Sequence, residues 1–272
     1  MQRNVTLFAA AAGVAFLLAT GTGCNKLKAR DNLNKGVQSF KNAKYSEAVE
    51  FFKTAINLEP EYTTARLYLA TAYMNQYIPG AESPENVQMA KAAYDEFMKV
   101  LEREPRNTIA VSYIASLYFN QKKFDEAAEW HRKLIAIDPA GSKESYYTLG
   151  VIAWTKSFQK RMEARAKLGM KPEDPGPLKD KKIREGLKGE LLPLIEDGIR
   201  SLDKALEIDK EYDDAMAYLN LLHRERADLA DTKEQYQKDT EIADNWTQKT
   251  LETKKIKASR MPTGGGLTQE AK

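Results

Sequence analysis

The chain is 272 residues long, 42% hydrophobic and 30% charged, so it holds enough apolar material to bury a core as one ordinary domain or as an extended repeat array. Its 42 basic and 39 acidic residues leave a net charge of +3, too little for a strong long-range field, and nucleic acid is not an indicated partner. A single cysteine excludes any disulfide within the chain.

The first segment differs in kind from the rest. Arg3 precedes an uncharged run from Val5 to Ala19, too short to span a bilayer comfortably as a helix, and the small residues Thr20, Gly21, Thr22 and Gly23 follow it. This reads as an export signal over residues 1–23. Cys24 comes next, and the arrangement resembles a bacterial lipoprotein signal. That resemblance implies that Cys24 is the lipid attachment site and the first residue of the mature chain. Gly21 stands where that family usually carries leucine, so ordinary cleavage after Gly23 and an uncleaved anchor remain alternatives. A lipidated Cys24 would give a stable anchor and would remove a lone thiol from an oxidising compartment. Residues 24–28 would form a tether reaching about 15 Å at about 3.5 Å per residue, which keeps the fold close to the membrane. In some bacteria an Asp after the cysteine retains lipoproteins at the inner membrane; Asn25 here points to the outer membrane, with the chain facing the periplasm.

From residue 29 the chain repeats itself. Lys44, Tyr45, Ser46, Glu47, Ala48, Val49 and Glu50 are echoed by Lys123, Phe124, Asp125, Glu126, Ala127, Ala128 and Glu129. Apolar helical patterns run to Pro60, Pro105 and Pro139, spaced by 45 and 34 residues, the longer interval being 34 plus an insertion of 11. Small residues recur as Gly36, Ala70, Ala115 and Gly150 in the first helix of each pair, and as Ala48, Ala93 and Ala127 in the second. Tyr45, Phe52, Phe97 and Phe124 supply the large side chains that fill the grooves.

These residues resemble tetratricopeptide repeats. The resemblance implies an all-α, right-handed helix-turn-helix solenoid with a helical insertion in the fourth repeat and no β-sheet. The repeats run over 29–62, 63–107 with an insertion at 76–86, 108–141, and 142–212 with an insertion at 156–190. Ser83 is the N-cap and Pro84 the first residue of the second helix in repeat two. The second helix of repeat four spans Leu191 to Ile208. A degenerate fifth repeat and a C-terminal helix occupy 213–258, with Asp231 and Glu234 offering a capping box for the last helix. Residues 259–272, with three consecutive glycines from Gly264, lack apolar periodicity and are expected to be disordered.

The insertion at 156–190 carries eleven Lys or Arg against six Asp or Glu. Its middle, from Met170 to Pro177, is too rich in proline to be helical while both flanks suit a helix, which predicts a projecting hairpin or a long helix with a mobile loop. Lys179, Lys181, Lys182 and Arg184 are candidates for contact with anionic headgroups or an acidic partner, the alternative being a solvated arm.

Residues able to carry chemistry are scarce. His131 and His223 lie 92 residues apart with no second cysteine or carboxylate cluster at metal-ligand spacing, and the glycines at 264–266 follow no strand and precede no helix. Asp213 and Asp214 sit at a helix start, where the dipole favours them. No catalytic residue, cofactor or metal is therefore expected, and the chain reads as a scaffold that is not an enzyme. The tetratricopeptide resemblance implies a concave groove lined by the first helices, here Leu33, Val37, Phe40, Leu67, Met74, Ser112, Phe119, Asn120, Tyr147, Val151 and Trp154. That set is mostly apolar and lacks the Lys, Arg and Asn with which family members grip a carboxylate, so it suits an apolar segment or helix of another protein. The alternative is that several of these residues pack against the linker, the insertion or one another. Repeat lipoproteins of this kind serve in outer-membrane and secretion complexes of the bacterial cell envelope. A second reading is self-association through exposed rings such as Trp130 and Trp246.

Overall fold

The structure, a computed structural model, describes residues 23–260; residues 1–22, which hold nearly all of the expected export signal, and residues 261–272 lie outside the described residues. Among the described residues there are ten α-helices and no strand. They are α1 (residues 23–41), α2 (Tyr45–Leu58), α3 (Thr63–Gln76), α4 (Pro84–Arg103), α5 (Thr108–Asn120), α6 (Phe124–Ile137), α7 (Lys143–Lys167), α8 (Lys181–Ile208), α9 (Asp213–Asp228) and α10 (Lys233–Arg260). They form two compact units, one ending at Trp130 and one beginning at His131, with the boundary inside α6.

In the first unit, α2 buries Ala48, Val49, Phe52, Ala55 and Ile56, which recur three and four residues apart and so share one face of the helix. That face packs against Leu33 of α1 and against Ala65, Leu69 and Ala72 of α3. Gly36 lets α1 approach closely, since a Cβ there would overlap the Phe52 ring. Phe52 in turn stacks on Tyr68 at 5.5 Å between centroids, and 45 residues later Phe97 stacks on Tyr113 at 5.2 Å. The turns that close α1 and α5 are the same. Ala43 and Lys122 both take φ of 58°, and the Lys44 and Lys123 amides donate five residues back, to Ser39 O (2.9 Å) and Tyr118 O (3.0 Å). This is the Schellman close of a helix, made here without glycine.

In the second unit, α7 and α8 cross where side chains are absent. A Cβ on Gly150 would overlap Leu202, and one on Gly198 would meet Ala153. Ala153, Leu191, Ile195, Leu202 and Ala205 then share a core with Ala215, Leu219 and Leu222 of α9. His131 follows Phe97 by 34 residues and so takes the repeat position of a core phenylalanine. Its imidazole is buried, and Nδ1 lies 3.0 Å from the buried Ser145 Oγ.

Several sequence expectations are corrected. Residues 23–28 are helical, not an extended tether, because they continue the α1 whose Ala29 is fully buried. The insertion at 156–190 is no separate arm. Its flanks lengthen α7 to Lys167 and start α8 at Lys181, where Asp180 Oδ1 accepts from the Ile183 amide at 2.8 Å, so α8 does not begin at Leu191. The helix runs through Pro193, which is exposed, while Leu191 and Ile195 on either side are buried and hold it in register. Only residues 168–180 leave the helical state, and they are packed, with Met170 and Leu178 in the core. Residues 259 and 260 belong to α10 instead of to a disordered tail.

Two predictions follow from these turns and this core. The turns after α2, α4 and α8 share one geometry, with the Tyr62, Asn107 and Tyr212 amides donating to Glu59 O, Glu104 O and Asp209 O at 3.0, 2.9 and 3.1 Å. Pro60 and Pro105 occupy the second position of the first two, and Lys210 that of the third. Asp209 has φ −135° and ψ 98°, a conformation that tolerates a following proline. Lys210→Pro should therefore raise stability by about 0.5–1 kcal/mol, read as a higher denaturant midpoint. Burial holds His131 down at about 4 against an ordinary 6.5. Below pH 6.5 the unfolded chain takes up a proton that the folded chain refuses, so stability should fall from pH 6.5 to about pH 4, by roughly 3 kcal/mol in the limit. In His131→Phe this component of the pH dependence should vanish, as urea titrations of both proteins at pH 7 and pH 4.5 would show.

Candidate protein-binding surfaces

The groove positions of the first unit divide by helix. Leu33 is only 8% exposed and belongs to the core, a correction to its placement on a binding surface. Val37 and Phe40 are half-buried against the same core, and the Phe40 ring meets Tyr45 edge-on at 5.3 Å. The physical reason is that α1 needs its apolar stripe to close over α2. On α3 and α5 the case differs. Leu67 and Met74, and likewise Ser112 and Phe119, are pairs seven residues apart on one helix face, and all four are half-buried. Asn120 is half-buried beside them, and α3 and α5 are in contact.

Sequence reasoning missed a cleft of about 620 Å³ in this unit, bounded by residues 77–83, the non-helical part of the 76–86 insertion, by α4 and by the end of α5. Its wall is fixed by Asn86. The Asn86 Oδ1 accepts from the Ile78 amide at 2.7 Å, and Nδ2 donates to Ile78 O at 2.9 Å and to Ala81 O at 2.8 Å. Ser83, the N-cap of α4, accepts from the Asn86 amide at 3.2 Å, with Pro84 opening the helix. Among the groove residues only Asn120 lines this cleft. The available signal was the insertion itself, an asparagine three residues after its capping serine.

In the second unit Tyr147, Val151 and Trp154 lie at i, i+4 and i+7 of α7, on one face, and are half-buried. Their rings face others of the same unit. Tyr147 lies 5.2 Å from Tyr212 and 5.5 Å from Tyr218, and Trp154 lies 5.6 Å from Tyr218 and 5.0 Å from Phe158. Burial raises the Tyr147 hydroxyl above its ordinary range and that of Tyr212 to about 12. Of the two rings named for self-association, Trp130 is buried, while Trp246 is half-buried with the Lys249 ammonium 4.3 Å from its centroid.

The basic insertion meets acidic partners inside its own unit. Arg161 forms a bidentate pair with Glu225 at 2.6 and 2.9 Å and reaches Asp228 at 2.9 Å. Arg165, 2% exposed, donates Nη1 to both Asp228 oxygens at 2.9 and 2.8 Å; its remaining nitrogens reach Lys171 O and Asp174 O. The Leu178 amide donates to Asp228 O at 3.0 Å, so one aspartate ties the loop at both ends. Burial lifts the Glu225 carboxyl above its ordinary range against the pull of Arg161, while Arg161 is held charged; the bidentate geometry is that of an ion pair. Lys160 pairs with Glu190, and Lys188 with Asp231, whose carboxyl is lowered by that lysine. Lys179, Lys181 and Lys182 are exposed at the start of α8, Lys181 lying 3.7 Å from Glu185, and Arg184 donates to Leu178 O at 2.6 Å. Asp228→Ala, which strips two guanidinium groups of their shared carboxylate, should cost about 3–5 kcal/mol and open residues 168–180 to limited proteolysis. Lys181→Ala should change stability by less than about 0.5 kcal/mol in the same assay.

Comparison with known proteins bears on the fold. Residues 85–142 match the tetratricopeptide repeat family model. Sperm-associated antigen 1 of Rattus norvegicus is 31% identical over 105 residues, 39% of this chain, and the chain spans 10% of that relative's length. Among solved structures, a crystal structure of MamA has a TM-score of 0.57 at 14% identity, covering 86% of this chain and 96% of the other. MamA residues 41 to the end from Desulfovibrio magneticus RS-1 has a TM-score of 0.55 at 17% identity, covering 84% and 96%. YrrB, a TPR protein with an unusual peptide-binding site, has a TM-score of 0.51 at 12% identity, covering 82% and 90%. The fold is accordingly the all-α, tetratricopeptide type, built from helical hairpins.

Proposed function

We propose that the chain is a non-catalytic scaffold that binds other proteins and works at a membrane of the bacterial cell envelope, held there by lipid on Cys24. The observation that carries the binding reading is the pair of half-buried rows on α3 and α5, Leu67 with Met74 and Ser112 with Phe119, on helices in contact. Three of these four side chains, Leu67, Met74 and Phe119, are apolar, and left half open on adjacent rigid helices they suit an apolar segment or helix of another protein. The peptide-binding site named for YrrB supports the same reading by likeness of fold.

The location rests on the sequence from Arg3 through Cys24. Cys24 is exposed and already within α1. At about 1.5 Å per helical residue the segment 24–28 advances only some 8 Å, so a lipid on Cys24 would hold the first unit against the bilayer surface. No helix among the described residues is long and apolar enough to cross a membrane. An outer-membrane or secretion assembly is the kind of complex such a scaffold would serve.

Two experiments test this. Photo-crosslinkers placed at Met74 and Phe119 in living cells should trap the same envelope protein, with Lys182 as the comparison. No product at either groove position while Lys182 gives one would overturn the binding reading. Metabolic labelling with an alkynyl fatty acid should mark the wild-type chain and fail in Cys24→Ser; equal labelling of the two would remove the anchor.

A further inference from the structure

We infer that the cleft behind the 77–83 insertion is a second binding site, taking an acidic peptide segment of a partner protein anchored by one aromatic or branched apolar side chain. This rests on the scaffold reading but uses a different surface. The cleft joins the insertion to α4 and to the turn after α5, whereas Leu67, Met74, Ser112 and Phe119 do not line it.

The insertion is built as a wall. Asn86 is 7% exposed, and its side chain makes three hydrogen bonds to the backbone at Ile78 and Ala81, so the loop needs no partner to hold its shape. A preformed wall spares the ordering cost that a loose loop would impose on binding. The same hydrogen bonds satisfy backbone groups of the loop and fix the wall of the cleft.

The floor is apolar and aromatic. Ala90 and Leu117 are buried beneath it, and the Tyr94 and Tyr118 rings meet edge-on at 5.8 Å. Burial, aided by the hydrogen bond to Tyr94, pushes the Tyr118 hydroxyl up to about 12. At the mouth, Val87 is 57% exposed. It is a large apolar side chain left in water beside a concave surface, and a volume of about 620 Å³ falls in the range of roughly 300–1,000 Å³ typical of ligand sites.

Charge chooses the occupant. Lys91, Lys122 and Lys123 line the cleft, against the single lining carboxylate of Glu82. Lys91 is shared with Asp95 at 2.6 Å, and the Lys123 ammonium stands 5.8 Å from the Tyr118 centroid. Glu126 and Glu129 of α6 act on Tyr118 without lining the cleft. Lys122 is exposed on the rim, within the turn that closes α5, where its ammonium is open to a carboxylate. An apolar anchor over the tyrosines with carboxylates on the lysine rim matches this surface; a basic or uncharged segment does not.

The test uses the full chain and two hexapeptide pools, each with a single fluorescent label. In one, a lone Phe or Leu is flanked by Asp and Glu; in the other the flanks are the isosteric Asn and Gln. By anisotropy the acidic pool should bind at least about tenfold tighter, and more weakly as salt is raised. The double variant Lys122→Glu with Lys123→Glu, both exposed, should abolish the preference, and Asn86→Ala should weaken binding of the acidic pool while far-ultraviolet dichroism stays unchanged. Equal binding of both pools, or an unaltered preference in the double variant, overturns the site. If neither pool binds while Met74 and Phe119 still crosslink, this cleft falls and the scaffold reading stands; if the acidic pool binds but those positions trap nothing, the cleft stands and the α3–α5 face falls.

Discussion

Where a side chain is missing at a crossing, two helices can approach closely enough to share one apolar stripe, and three crossings of this fold depend on that absence. At Gly36 the missing side chain admits the Phe52 ring, and at Gly150 and Gly198 it admits Leu202 and Ala153. Once the ring of Phe52 is seated, its far face is free to stack on Tyr68 of the next helix, and Phe97 does the same with Tyr113. Within the first unit, the second helix of a hairpin thus hands an apolar face to the helix that follows it. An isolated hairpin of 14-residue helices would leave that face in water, where the helices themselves are marginal. His131 shows what happens when the ring is exchanged for a polar one: burial then demands a partner, which Ser145 supplies, and the site becomes sensitive to protons.

What was legible in the sequence was local. The fold class follows from the 34-residue recurrence, because small residues and ring positions repeat with it. The start of α4 can be read from Ser83 and Pro84, since an N-cap hydroxyl and a proline in the first turn act within three residues. The course of α8 was hidden for the opposite reason. Pro193 removes one donor and reads as a break, but the buried Leu191 and Ile195 carry the helix past it with tertiary contacts that no local window contains. Leu33 was misplaced because repeat position alone says which face of α1 a residue takes, not what covers that face.

Arg161 with Arg165, and Glu225 with Asp228, could have been noticed as like charges four and three residues apart on two helices. Counted by sign alone, the stretch around the arginines looked like a basic arm. Counted by partner, much of its positive charge is answered within the same unit, and two guanidinium groups share two carboxylates that would otherwise be buried without counter-ions. Net charge per segment describes an exposed surface; it fails where long-range pairing withdraws the charges from water.

The two insertions therefore end in opposite states for a physical reason. Residues 168–180 supply Met170 and Leu178 to the core and backbone carbonyls to Arg165, so the loop fills the space it creates. Residues 77–83 supply no core residue. They are tied back on their own helix by Asn86, which satisfies backbone groups at Ile78 and Ala81 without covering Tyr94 and Tyr118. A loop fastened by a buried side chain yet leaving apolar surface beneath it open gains less from its own burial than a loop that folds inward. The hydrogen bonds of Asn86 are what allow such a loop to keep one shape while the surface beneath it stays uncovered.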